Sequence, residues 1–280
     1  LQRELGKEAK LIYDVRMENT YSSNSPQTVK IPSSNRDPLK PQRVTVPLDT
    51  ADRELRNPFV IPGLQKVKIE SQLNPNYNFN NFVEGDSNRL ARSAGMAVAN
   101  KPGGTSFNPL LIYGGVGLGK THIAHAIGVD IKDKYPDKTV LYISSEKFTQ
   151  QFIDSVKSNT RNDFIHFYQM IDVLIIDDVQ FLSGKTGTQD VFFHIFNHLH
   201  QNGKQVILTS DKAPVDMQDI EQRLLSRFKW GLSAELQAPD YETRISILQN
   251  KLFRDGVEMP EDIVEFLANN IKTCLLYTSP

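Results

Sequence analysis

The sequence reads as an α/β protein, with a parallel five-stranded sheet covered by helices on both faces and the start of a small helical subdomain after it. Three features carry that reading. Short apolar runs at residues 110–113, 139–143, 173–176 and 205–209 recur between amphipathic stretches, and residues 231–236 supply a fifth. Runs without polar alternation suit strands buried on both faces, and strands separated by helices require parallel crossovers. A glycine-rich turn follows the first run directly and leads into a helical stretch. After residue 236 the pattern changes, because residues 241–254 and 261–271 are both helical with no strand between them.

Taken in order, residues 1–17 place Leu5, Ala9, Ile12 and Tyr13 at helical spacing, followed by Val15 and Met17. Two readings stay open there: the last helix and strand of a preceding domain (residues 1–20), or a disordered end. Residues 21–72 read as a linker. Pro26, Pro32, Pro38, Pro41, Pro47, Pro58 and Pro62 interrupt any regular element, and Ser, Asn and Gln fill the gaps. The globular part is expected from Leu73, as a core over 73–236 and a helical lid starting over 237–273. A turn at Asn74-Pro75-Asn76-Tyr77 precedes Phe79, Phe82 and Val83. Asn88 then opens a helix carrying Leu90, Ala91, Ala94, Met96, Ala97 and Val98, which Pro102-Gly103-Gly104 ends. Further helices are expected at 148–156, 162–170 and 190–201, the last with Phe192, Phe193 and Phe196 in the core.

Composition narrows the function. The formal net charge of −1 gives no global basic field, so any nucleic-acid contact must be local. A single cysteine, Cys274, forms no intrachain disulfide, and no run of 18 apolar residues occurs, so a cytoplasmic protein is expected. His194 and His198 lie four apart on a helix, but no glutamate follows the first, so the zinc-protease pattern is absent. They read as ordinary helix histidines, as do His122 and His125 with respect to metal.

The glycine-rich turn carries the chemistry. Gly114 to Thr121 spell G-x-x-x-x-G-K-T, with a strand before and a helix after. In that context successive N–H groups, from Gly115, Gly117, Leu118 and Gly119 on to His122, form a cradle for phosphate oxygens at a helix N-terminus. Lys120 then reaches the β- and γ-phosphates, and the Thr121 hydroxyl ligates Mg²⁺. A nucleoside triphosphate is the ligand this predicts. Asp177 and Asp178 end an apolar strand, the edge where open α/β sheets bind ligands. Asp177 suits Mg²⁺, and Asp178 suits polarisation of a water; an acidic strand end beginning a turn is the plainer alternative. Thr209-Ser210-Asp211 ends the next strand in the same way, with a polar side chain there expected near the γ-phosphate or, alternatively, as a turn residue capping the next segment. Arg223 and Arg227 are four apart on one helix face, so they read either as phosphate-binding arginines offered to a neighbouring subunit or as surface ion pairs with Glu221 or Asp219.

As a set, these motifs resemble the DnaA family of bacterial chromosomal replication initiators. The stretches that carry the resemblance are 114–122, 174–181, 208–212 and 223–232, with 73–79, 81–83 and 87–88 resembling the start of that family's ATPase domain. The resemblance covers about residues 73 to 273. It implies an AAA+ P-loop fold with strand order 5-1-4-3-2 and a helical lid. It also implies slow, switch-like ATP hydrolysis, with the ATP form assembling as a helical oligomer on origin DNA and promoting unwinding. Carried over by motif, Asp178 is the catalytic acid and Asp211 the first sensor. Arg227 is the finger acting in trans, and Arg223 a second interface arginine. Asn88 and residues 79–83 lie near adenine. Ile153 and Lys185 contact single-stranded DNA, and Gly187 stands where some members carry a basic residue. Replicative helicase and regulators are implied partners through the N-terminal domain, and acidic phospholipid is implied for the full-length family. A second sensor arginine and a duplex-reading helix-turn-helix are expected beyond Thr273; residues 274–280 look instead like translated adapter sequence. Two other functions fit parts of the pattern: a helicase-loader or transposition-helper ATPase, and a nucleotide-gated regulatory scaffold with negligible turnover.

Overall fold

The computed structural model of the chain describes residues 69–270. The expected N-terminal segment, most of the linker, Cys274 and the 274–280 tail lie outside the described residues.

Eight helices and five strands follow one another among the described residues. Helix α1 (Arg89–Asn100) leads to β1 (Leu110–Gly114), α2 (Lys120–Lys134), β2 (Val140–Ser144), α3 (Ser145–Lys157) and α4 (Arg161–Met170). Then come β3 (Val173–Asp177), a 3₁₀ turn (Val179–Leu182), α5 (Thr186–Gln201), β4 (Gln205–Ser210), α6 (Gln222–Phe228) and β5 (Leu232–Leu236). Helices α7 (Tyr241–Asp255) and α8 (Glu261–Asn270) close the described part. The sheet order is β2-β3-β4-β1-β5, the expected 5-1-4-3-2 read from the other edge. All pairings are parallel; Leu110 lies opposite Ile207 on one side and Leu232 on the other.

The two-residue period of a strand sorts the core into two layers. Leu111, Leu141, Ile143, Leu174, Ile176, Val206 and Leu208 face a layer with Phe148, Phe164, Tyr168, Phe192 and Phe196 from α3, α4 and α5. Leu110, Ile112, Val140, Val173, Ile175 and Ile207 face the other, filled by α1 and α2. Rings in the first layer meet edge to face, as Phe148 does with Tyr168 at 5.0 Å between centroids. Helix α1 packs through small residues: a Cβ at Gly95 would stand 2.9 Å from Ile127. Leu90 and Met96 of the same helix are exposed, since Ala91, Ala94, Val98 and Ala99 make the buried stripe.

Three further differences from the sequence reading have physical causes. The globular part takes in Ile69, which packs against the first core layer, and Ser71, whose carbonyl accepts from Tyr142 N–H at 2.9 Å. Helix α5 starts at Thr186, not Asp190. Its first turn, Thr186-Gly187-Thr188-Gln189, has poor helix propensity, but buried Gln189 anchors it through bonds to Leu182 O, Asp219 O and Glu221 N. Phe193, expected in the core, is half-buried, and its ring carries the two arginines of α6.

Candidate functional site

The turn after β1 takes the shape the glycines permit. Gly117 and Gly119 have φ of 76° and 94°, in the left-handed region, and Gly119 caps α2. Lys120 is buried at the first position of α2. Its ammonium donates to Gly114 O (3.0 Å) and Gly115 O (2.8 Å) and pairs with Asp211 Oδ1 at 2.6 Å. The lysine thus bridges the loop and the end of β4, and the anionic partner it has there is one that an incoming phosphate would rival.

Asp177, buried at the end of β3, accepts from three hydroxyls. Thr121 Oγ1 lies 2.8 Å and Tyr142 Oη 2.5 Å from Oδ2, while Thr209 Oγ1 donates to Oδ1. Burial and the Asp177 charge both push the Tyr142 phenol well above its ordinary pKa, so it stays a donor. A hydroxyl and a carboxylate touching at the mouth of a phosphate loop are a hard oxygen set that fits Mg²⁺ completed by nucleotide phosphates.

Asp178 sits in the left-handed region, with φ of 58°. Its N–H donates to Thr209 Oγ1 (2.9 Å), and its carbonyl accepts from Ser145 Oγ (2.6 Å). Its carboxyl is raised above the usual range, first by burial and then by the Asp177 charge. Asp211 approaches it through Gln180, whose Nε2 lies 3.1 Å from both Asp178 Oδ1 and Asp211 Oδ2. Lys120, Thr121, Asp177, Asp178 and Asp211 therefore form one connected group.

Beside this group opens a cavity of about 350 Å³, walled by residues 74–88, the loop's Leu118 and Gly119, and α7. His122, Asn88, Phe82 and Val83 line it, whereas Phe79 packs into the core. The Asn88 side chain is occupied in shaping the wall: it accepts from Gly85 N–H (3.1 Å) and donates to Val83 O (2.9 Å). His122 donates to Asn78 O (3.1 Å) between the rings of Tyr77 and Phe82. Burial lowers its pKa, and Arg254 adds to the effect. His125 accepts from Asn74 N–H through Nδ1 and stacks on Tyr142 at 3.9 Å; burial takes its pKa down to about 4. These two histidines fasten the entering chain to α2.

The remaining candidates stand apart from this group. Arg223 pairs with Glu221 (2.5 Å) and Asp190 (2.9 Å), so the surface ion pair expected as an alternative does form. Arg227 instead donates from Nε to Asn197 Oδ1 (2.9 Å) and lies over Trp230, 3.9 Å from the ring centroid. Ile153 is exposed on α3. Lys185 caps α5, and Gly187 beside it lies against Phe152 of α3, so the two candidate DNA contacts belong to neighbouring elements.

Several site residues escaped the sequence reading. Tyr142 looked like one more apolar strand residue. Gln180 carries no charge to mark it. Ile247, Asn250 and Arg254 reach the cavity only because α7 folds back over the loop.

Comparison with known proteins places the chain in a family. Residues 73–235 match the model of the bacterial DnaA ATPase domain. The chain is 76% identical over 273 residues to the chromosomal replication initiator protein DnaA of Flavobacterium psychrophilum, covering 98% of this chain and 57% of that protein. The chain spans a little over half the length of the curated relatives it matches. Domain III of the Thermotoga maritima replication initiation protein DnaA superposes with a TM-score of 0.71 at 47% identity, over 73% of this chain and 85% of that one. A replication initiator DnaA bound to AMPPCP and single-stranded DNA gives 0.67 at 40% identity, over 72% and 62%. On the match across its phosphate loop, sheet and both acidic strand ends, the chain belongs to the bacterial DnaA family.

Proposed function

We propose that this chain is the ATPase part of a replication initiator, binding and slowly hydrolysing ATP with Mg²⁺ and using the ATP state to assemble on origin DNA. The carrying observation is Lys120, held between two loop carbonyls and Asp211 and next in the chain to Gly119, which lines the cavity. An anion at the loop competes with Asp211 for that ammonium, so the site responds to a terminal phosphate. Adenine fits the cavity between Phe82, Val83, His122 and α7. Thr121 and Asp177 would hold Mg²⁺, which supplies charge neutralisation between the phosphates. Asp178 orients the attacking water, and Asp211 senses the γ-phosphate. The neighbour carrying AMPPCP and single-stranded DNA supports binding of both a nucleotide and single-stranded DNA. Ile153 on α3 and Lys185 at the start of α5 are the residues we assign to the DNA contact.

Arg227 acts on the nucleotide of an adjoining copy, with Arg223 beside it, so ATP joins subunits into a helical oligomer. Helicase, regulators, acidic phospholipid and duplex origin boxes would engage parts of the whole initiator outside the described residues. A cytoplasmic location follows from that role, and no described helix is long and apolar enough to cross a membrane. Equilibrium binding of labelled ATP and ADP, with and without a single-stranded oligonucleotide, tests the proposal. ATP binding with DNA-stimulated assembly is expected; DNA binding indifferent to nucleotide would overturn it.

A further inference from the structure

Gln180 stands between two carboxylates that would otherwise repel each other. It lies two residues after Asp178, in the 3₁₀ turn that carries the chain away from β3. Its amide nitrogen has two hydrogens, and the structure uses both: Nε2 lies 3.1 Å from Asp178 Oδ1 and 3.1 Å from Asp211 Oδ2. Its Oε1 accepts from Asp211 N–H at 3.3 Å. Asp178 has little freedom besides its side-chain torsion. Its backbone is held by Thr209 and Ser145 in the left-handed region, so the Gln180 bond selects where the carboxylate points. Asp211, through its other oxygen, holds Lys120. An unbroken line of contacts thus runs from Lys120 through Asp211 and Gln180 to Asp178.

We propose that Gln180 is a positioning residue for hydrolysis, yoking Asp178 to Asp211 so that the carboxylate facing the water and the side chain facing the γ-phosphate keep one fixed relation. An uncharged double donor suits the task. A lysine there would compete for Asp211 with Lys120, and a glutamate would add a third negative charge. Gln180 bonds neither the loop carbonyls nor Lys120 itself, so its loss is expected to leave most of the contacts that hold ATP in place. Its effect passes through Asp178, so the inference rests on Asp178 acting on the water as proposed for hydrolysis.

The test compares single-turnover hydrolysis and ATP affinity in Gln180→Met, Gln180→Glu, Asp178→Asn and the double variant Asp178→Asn with Gln180→Met. Met keeps the length without donors; Glu keeps the shape without donors. Both are expected to slow hydrolysis about tenfold or more, while ATP affinity stays within about threefold, which also shows that the site is folded. The double variant is expected to be no slower than Asp178→Asn alone, because residues acting as a unit are not additive. Wild-type hydrolysis in both Gln180 variants beside a slow Asp178→Asn would overturn the yoke and leave the role of Asp178 standing. Multiplying losses in the double variant would also overturn it, placing Gln180 on a separate route. Normal hydrolysis in Asp178→Asn would overturn the role of Asp178 and the yoke together.

Discussion

Asp177 shows how one carboxylate holds a sheet edge together, since its three hydroxyl donors come from α2, β2 and β4. Thr209 serves twice, donating to Asp177 and accepting from Asp178 N–H. Thr209→Val keeps the volume and removes both bonds, so it should cost about 1–3 kcal/mol. Urea denaturation checks this, with the loss read from the transition midpoint. Lys120→Ala removes the one full positive charge of the cradle and should weaken ATP at least about tenfold, some 1.4 kcal/mol; affinity within about threefold would refute the phosphate-loop role. His125 gives a pH dependence. Its folded pKa of about 4 lies below the ordinary 6.5, so the unfolded chain binds its proton more readily. The stability from burying it neutral is complete above pH 6.5 and is lost as pH falls through about 4. His125→Gln keeps an acceptor for Asn74 N–H and should flatten the fall in urea midpoint over that window.

Elements were legible in proportion to how locally they are determined. The strands stood out because residues such as Val173 to Ile176 are apolar on both faces, which a strand buried between two helical layers requires. The start of α5 was not legible, since Thr186 and Gly187 disfavour a helix and they are held there by Gln189 bonding to Asp219 and Glu221, distant in the chain. The same division governs the site. Lys120, Thr121, Asp177 and Asp211 are named by spacing along the chain. Tyr142, Gln180 and Arg254 acquire their places only when strands and lid come together. Helix α7 is the clearest case. Arg244 ties it to α8 through Ala268 O and to its own entry through Pro239 O, both at 2.8 Å. Arg244→Ala should free α7, which brings Ile247 and Asn250 to the cavity, and so weaken ATP several-fold while the sheet keeps its urea midpoint. Titration of labelled nucleotide beside denaturation separates the two effects.

For the whole molecule, the proposed control of assembly by nucleotide turns on the separation between Arg227 and the connected group around Lys120. Arg227 rests on Trp230 and Asn197 at the surface of α6 and contacts none of Lys120, Asp178 or Asp211 in the interactions described. In the proposed assembly, this guanidinium would bond the γ-phosphate of an adjoining copy's nucleotide, the group that ATP has and ADP lacks. Only such a differential contact lets nucleotide state control assembly. The most direct measurement is crosslinking of the chain on a single-stranded oligonucleotide with ATP or ADP. Wild type should form oligomers with ATP alone. Lys120→Ala should form none, and Arg227→Ala should bind ATP as a dilute monomer yet fail to assemble. Mixing the two variants should restore dimers, each containing one intact composite site. Loss of ATP affinity in monomeric Arg227→Ala, or equal assembly of the wild type with ADP, would contradict an ATP-gated contact made in trans.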